Sequence, residues 1–138
     1  MQSILNKYQK AKQVEIDRLK KELTYWQEIE NDIKKRIDTL NEKLNHLNVN
    51  NNFSSVLELQ VRNSFYSSLK KEVEIKNADL EKVQKKIDKI KNELSHLLGE
   101  KKAIEKYIQK IKKEKEREVE KSLQRLYDDT FARRNNRF

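Results

Sequence analysis

IDRLKKELTYWQEIENDIKKRIDTLNEKLNHL, residues 16–47, repeats its apolar side chains at alternating intervals of three and four. The seam runs Ile16, Leu19, Leu23, Trp26, Glu30, Ile33, Ile37, Leu40, Leu44 and Leu47. Such a narrow row belongs to a coiled coil, whereas a globular helix carries a broader stripe. A second run keeps the same phase through Leu59, Arg62, Tyr66, Leu69, Val73, Lys76, Leu80, Val83, Ile87 and Ile90. Folding the runs back so that paired residue numbers sum to 106 sets Ile16 against Ile90, Leu23 against Val83 and Leu47 against Leu59. Glu30, the one charge of the first seam, then faces Lys76, and this mutual exception predicts a polar layer that sets the register. A parallel homodimer would instead stack Glu30 on its own copy in a layer of low dielectric. A slip of one heptad either leaves too little chain to turn or strands both charges against apolar partners. The expected fold is all-α: a two-helix antiparallel coiled-coil hairpin with an overlong C-terminal helix.

Composition agrees with that fold. The chain of 138 residues has no proline, no cysteine and one glycine, and 40% of it is charged. Absence of proline permits long helices, and periodic apolar residues distinguish the chain from a disordered one. Helix one is expected over about 3–47, a turn over about 48–54 and helix two over about 55–132. Asn48, Asn50, Asn51 and Asn52 suit a chain reversal, and Ser55-Val56-Leu57-Glu58 reads as a capping box. Gly99 interrupts helix two at a cost of about 1 kcal/mol relative to alanine and is expected to be a tolerated weak point. At ~1.5 Å per residue helix one spans ~65–70 Å and helix two exceeds ~110 Å.

That inequality carries the functional expectation. In the 106 alignment everything after about Glu105 lacks an intramolecular partner, yet Ile108, Ile111, Val119, Leu123, Leu126 and Phe131 still mark one face. A bare apolar stripe is unstable in water, so the overhang is expected either to self-associate or to insert into another protein. Charge points the same way. The formal net charge is +9, of which +6 falls in residues 101–138, with 13 basic and 7 acidic side chains. A basic end attracts acidic protein, nucleic acid or an anionic surface.

Chemistry is sparse. The two histidines, His46 and His96, lie far apart in the expected hairpin, and no phosphate-binding glycine loop, zinc-protease motif or nucleophile–base pair is present. No catalytic residue, cofactor or metal site is expected. No apolar run approaches the ~20 residues that cross a bilayer, and Met1–Tyr25 holds no apolar signal-peptide core. A cytoplasmic protein is the expectation.

Two pieces resemble a known family: Phe65-x3-Leu69 early in helix two, and the ending Lys121-Ser122-Leu123-Gln124-Arg125-Leu126-Tyr127-Asp128-Asp129-Thr130-Phe131-Ala132-Arg133-Arg134. Together with the hairpin architecture they are similar to the FliJ family of flagellar type III protein export, whose injectisome relatives are YscO-type proteins. Two departures stand out. Tyr127 separates Leu126 from Asp128, and the family's tyrosines near the turn are unmatched because Tyr25 and Trp26 sit further away.

The resemblance implies a non-enzymatic stalk and chaperone, cytoplasmic and peripheral at the inner membrane through the export apparatus. Its implied partners are a hexameric export ATPase (FliI-like), an export gate protein (FlhA-like) and escort chaperones, with no direct nucleic acid. Ile108, Ile111, Arg117, Val119, Leu123, Arg125 and Leu126 would form the ATPase-binding shaft. Phe65, Tyr66 and Leu69 would form the gate-binding patch, although Tyr66 and Leu69 lie on the seam and serve packing first. A rival reading is a basic coiled coil that binds nucleic acid or acts as a scaffold. Against it, Lys112-Lys113-Glu114-Lys115-Glu116-Arg117-Glu118 alternates charge, and aromatic residues for stacking bases are few.

Overall fold

The computed structural model describes residues 2–49 and 55–136. Two helices pack against each other: α1, Gln2–Val49, and α2, Val56–Asn136. No strand occurs among the described residues, so the fold is the expected all-α helical hairpin. Both helices outrun their expected ends by a few residues, and asparagines 50–52 of the expected turn lie outside the described residues. Ser55 caps α2 as expected. Its Oγ accepts the Glu58 backbone N–H at 3.2 Å, and its carbonyl accepts that of Leu59 at 3.3 Å. The first satisfies a donor that a helix start leaves orphaned, and the second is the opening bond of the helix ladder. At Gly99 the helix continues without a positive φ, and a methyl group there would meet open space.

The chain divides into two compact units. In Asp17–Ser95 the core is the seam itself: Leu19, Leu40, Leu69, Val83, Ile87 and Ile90 are buried. Leu23, Trp26, Ile33, Ile37, Val73 and Leu80 are half-buried beside them, as two helices alone can shelter only one face of each. Arg36 spans the helices to Glu72 at 2.8 Å, and the Lys86 ammonium lies 5.8 Å from the Trp26 ring centroid. The second unit joins Met1–Ile16 to His96–Phe138. There Ile16 and Ile108 are buried, while Leu5, Leu97, Ile104 and Ile111 are half-buried.

Three expectations require correction. First, the cross-helix partners lie further along α2 than the 106 alignment puts them. Gln13 accepts a bond from Lys101 at 2.6 Å where the alignment gave Glu93, and Lys12 pairs with Glu100 where it gave Leu94. Trp26 meets Lys86 where it gave Leu80. Second, Glu30 does not pair with Lys76. Its carboxylate lies 3.6 Å from Lys34, one turn on in the same helix. Both residues remain half-buried on the seam, but a flexible lysine one turn away neutralises Glu30 without fixing an alignment between helices. Third, Leu59 is exposed, so the sheltered seam of α2 begins at Arg62.

The shift also moves the start of the overhang. Ile108 is only 8% exposed and Ile111 is half-buried, whereas every described side chain from Lys112 onward is exposed. The unsheathed segment therefore begins after Ile111, and not at residue 106.

Candidate functional site

The helical end of α2 is built from two unlike pieces. Lys112–Glu118 holds seven consecutive charged residues, about two turns with no apolar face at all. Beyond it Val119, Leu123, Leu126, Tyr127 and Phe131 return at helical spacing, each between 59% and 73% exposed. Local bonds keep this end helical. Thr130 Oγ1 donates to the Leu126 carbonyl at 2.8 Å, and Gln124 Nε2 donates to Asp128 Oδ1 at 3.3 Å. Arg133 and Arg134 occupy the last turn, where cations favour the negative end of the helix dipole.

Leu123, Leu126, Tyr127, Thr130, Phe131 and Arg134 together line a shallow apolar groove. Of the residues expected to form a shaft, Val119, Leu123 and Leu126 lie on this face, and Arg117 and Arg125 are exposed. Ile108 and Ile111 do not join them, because they are sheltered within the unit formed with residues 1–16. Phe131 lies on the exposed face as expected, and Tyr127 is the addition. Its position four residues after Leu123 and four before Phe131 was the available signal.

A second surface lies at the start of α2. Phe65 is 52% exposed, as expected of a residue flanking the seam. Tyr66 is half-buried with the Lys70 ammonium 5.6 Å from its ring centroid, and Leu69 is buried. Only Phe65 of the expected trio is thus presented outward. Its companions are Leu57 and Val61, which with Leu47, Glu58 and Arg62 line an apolar groove. The i, i+4, i+8 spacing of Leu57, Val61 and Phe65 carried that signal in the sequence.

The strongest electrostatic feature holds the terminal unit together. Lys12 Nζ stands 2.6 Å from Glu100 Oε2, and His96 Nε2 stands 2.8 Å from Glu100 Oε1. Oε2 is sealed from solvent and makes no other polar contact. The bond from Lys12 holds the Glu100 carboxyl below its ordinary pKa of 4.5, and the same bond raises the Lys12 ammonium above 10.5. Among the described residues no three His, Cys, Asp or Glu side chains converge on a metal position. No described helix is long and apolar enough to cross a membrane. The chemistry on offer is adhesive: in each unit an exposed apolar row lies on α2 with cations beside it. Compared with known proteins, the sequence matches no family model, and neither a curated protein nor a solved structure matches it.

Proposed function

We propose that this chain is a non-catalytic stalk protein of a flagellar-type export machine, with the unsheathed end of α2 inserted into its hexameric export ATPase. One observation carries the reading: Val119, Leu123, Leu126, Tyr127 and Phe131 form an apolar face that is exposed among the described residues. A helix gains most of its stability in water by burying such a face, so a sheath supplied by another protein completes it. The charged turns Lys112–Glu118 suit passage through a polar collar, and the surplus of cations draws this end toward an acidic ring. The groove around Phe65 is the proposed contact for an export gate protein, and escort chaperones are further proposed partners. In this role the chain sits at the cytoplasmic face of the inner membrane through the apparatus.

The test is capture of the export ATPase by the full chain, with hydrolysis measured as the stalk is added. Binding and stimulation by the full chain, both lost in Leu123→Asp/Leu126→Asp, are expected. Full stimulation by that variant would reject the shaft.

A further inference from the structure

Lys102, Lys106, Lys110, Lys113, Arg117 and Lys121 succeed one another at intervals of three or four residues and so share one face of α2. The row is about 29 Å long. All six side chains are exposed, and none enters an ion pair among the described residues. Lys106, Lys110, Lys113 and Arg117 line one groove, bordered by Glu114. In sequence the run alternates in sign, but the turn of the helix carries Glu116 and Glu118 to other faces. The cations are therefore concentrated where the sequence alone suggested dilution. No apolar or aromatic side chain lies in the row, which removes the means of entering a bilayer or stacking on bases.

Earlier in α2, within the other compact unit, Glu74, Glu81 and Asp88 recur every seven residues. They form a second exposed row with carboxylates about 10.5 Å apart. Glu74 and Asp88 have no ion-pair partner among the described residues, and Glu81 has only the exposed Lys85 one turn on, at 3.5 Å. Lys106 and Lys113 are also seven residues apart, and Lys121 follows eight residues further on. We infer that the basic row of one copy docks along the acidic row of a second copy of this chain. In antiparallel order Asp88 meets Lys106 and Glu81 meets Lys113, and Glu74 falls one residue out of step with Lys121. Another straight helix presents charges at the same rise, which a winding phosphate backbone does not. Gly99, one turn ahead of Lys102, leaves open space that lets the second helix approach. Exposed ion pairs are individually weak and screened by salt, so the association is reversible and set by ionic strength. Lys113 and Arg117 also belong to the charged turns of the proposed ATPase shaft, but Glu81 and Asp88 do not, and the apolar face takes no part here. Glu81→Lys/Asp88→Lys therefore tests this contact, and Leu123→Asp/Leu126→Asp tests the other.

The test is the solution mass of the full chain by light scattering, at about 0.01 M and at about 1 M salt, where the screening length falls from ~30 Å to ~3 Å. Mass above the 16.7 kDa of one chain is expected at low salt and is expected to vanish at high salt. Lys106→Glu/Lys113→Glu and Glu81→Lys/Asp88→Lys are each expected to remain monomeric at low salt. An equimolar mixture of the two variants is expected to associate again, because both reversed rows then find their opposites. Association that persists at high salt, or a mixture that stays monomeric, overturns the inference. So does a low-salt monomer that binds a short DNA duplex through the Lys106/Lys113 row, which would give that row to nucleic acid.

Discussion

Leu97–Ile111 and Lys112–Asn136 are consecutive stretches of one helix, both rich in charge and opposite in circumstance. In the first, Leu97, Ile104, Ile108 and Ile111 turn one face inward, and Lys12 and Gln13 reach across to Glu100 and Lys101. In the second, an apolar row of comparable size faces solvent throughout. The contrast separates two roles that a heptad pattern writes in the same letters. Within these two stretches, Leu97, Ile104, Ile108 and Ile111 support the fold, and the apolar side chains after residue 112 are available to another molecule.

Shortening the chain tests this division most severely. Removal of residues 112–138 is expected to leave the thermal transition of the remaining chain unchanged while abolishing ATPase stimulation. Removal of residues 106–138 also takes Ile108 and Ile111 and is expected to lower the transition clearly. Equal midpoints for the two truncations would erase the boundary at Ile111.

Single substitutions sharpen it further. Ile108→Ala is expected to cost about 2–5 kcal/mol in denaturant unfolding, as for other buried isoleucines. Leu123→Ala should stay within about 0.5 kcal/mol, as an exposed site does. A comparable loss at Leu123 would mean that the end of α2 is covered in solution by the chain itself. Gly99→Ala is expected to add up to about 1 kcal/mol, because the helix passes through with ordinary φ and room for a methyl group. Loss of stability in the same unfolding measurement would identify Gly99 as a site of close approach.

The smallest effect concerns pH. Glu100 is held below its ordinary pKa by the bond from Lys12, so the carboxylate's contribution is fully present above pH 4.5 and is lost as pH falls through the lowered value. Lys12, raised above 10.5 by the same bond, contributes below that pH and ceases to do so as pH rises through its own raised value. Lys12→Gln is therefore expected to flatten the acid limb of a stability–pH curve below pH 4.5. An unchanged acid limb would show that this pair does not secure the terminal unit.

The hairpin was legible because its signals were redundant. Seam spacing, the asparagine cluster and Ser55 all agree on two long helices, and buried Leu19, Leu40, Leu69, Ile87 and Ile90 all lie on the expected rows. Alignment was less legible, because heptads match one another at every seven-residue slip and only a polar exception breaks the tie. Glu30 was a misleading exception, since Lys34 satisfies it within its own helix. The expected overhang inherited that error and claimed Ile108. For the candidate surfaces, Phe65, Val119, Leu123 and Leu126 were readable from spacing. Leu57 and Val61 share their helical spacing with Phe65, but their exposure also depends on where the opposing helix ends, which spacing does not give.

Trp26 is the chain's one tryptophan. It lies in the Asp17–Ser95 unit, half-buried, with the Tyr25 ring edge-on at a centroid distance of 5.5 Å and Lys86 over its face. Indole emission consequently watches that unit and is blind to the other, whereas backbone dichroism counts the turns of both. The molecule carries its own optical label, and overlaying the two signals during melting distinguishes loss of the hairpin body from loss of the terminal unit without any added dye.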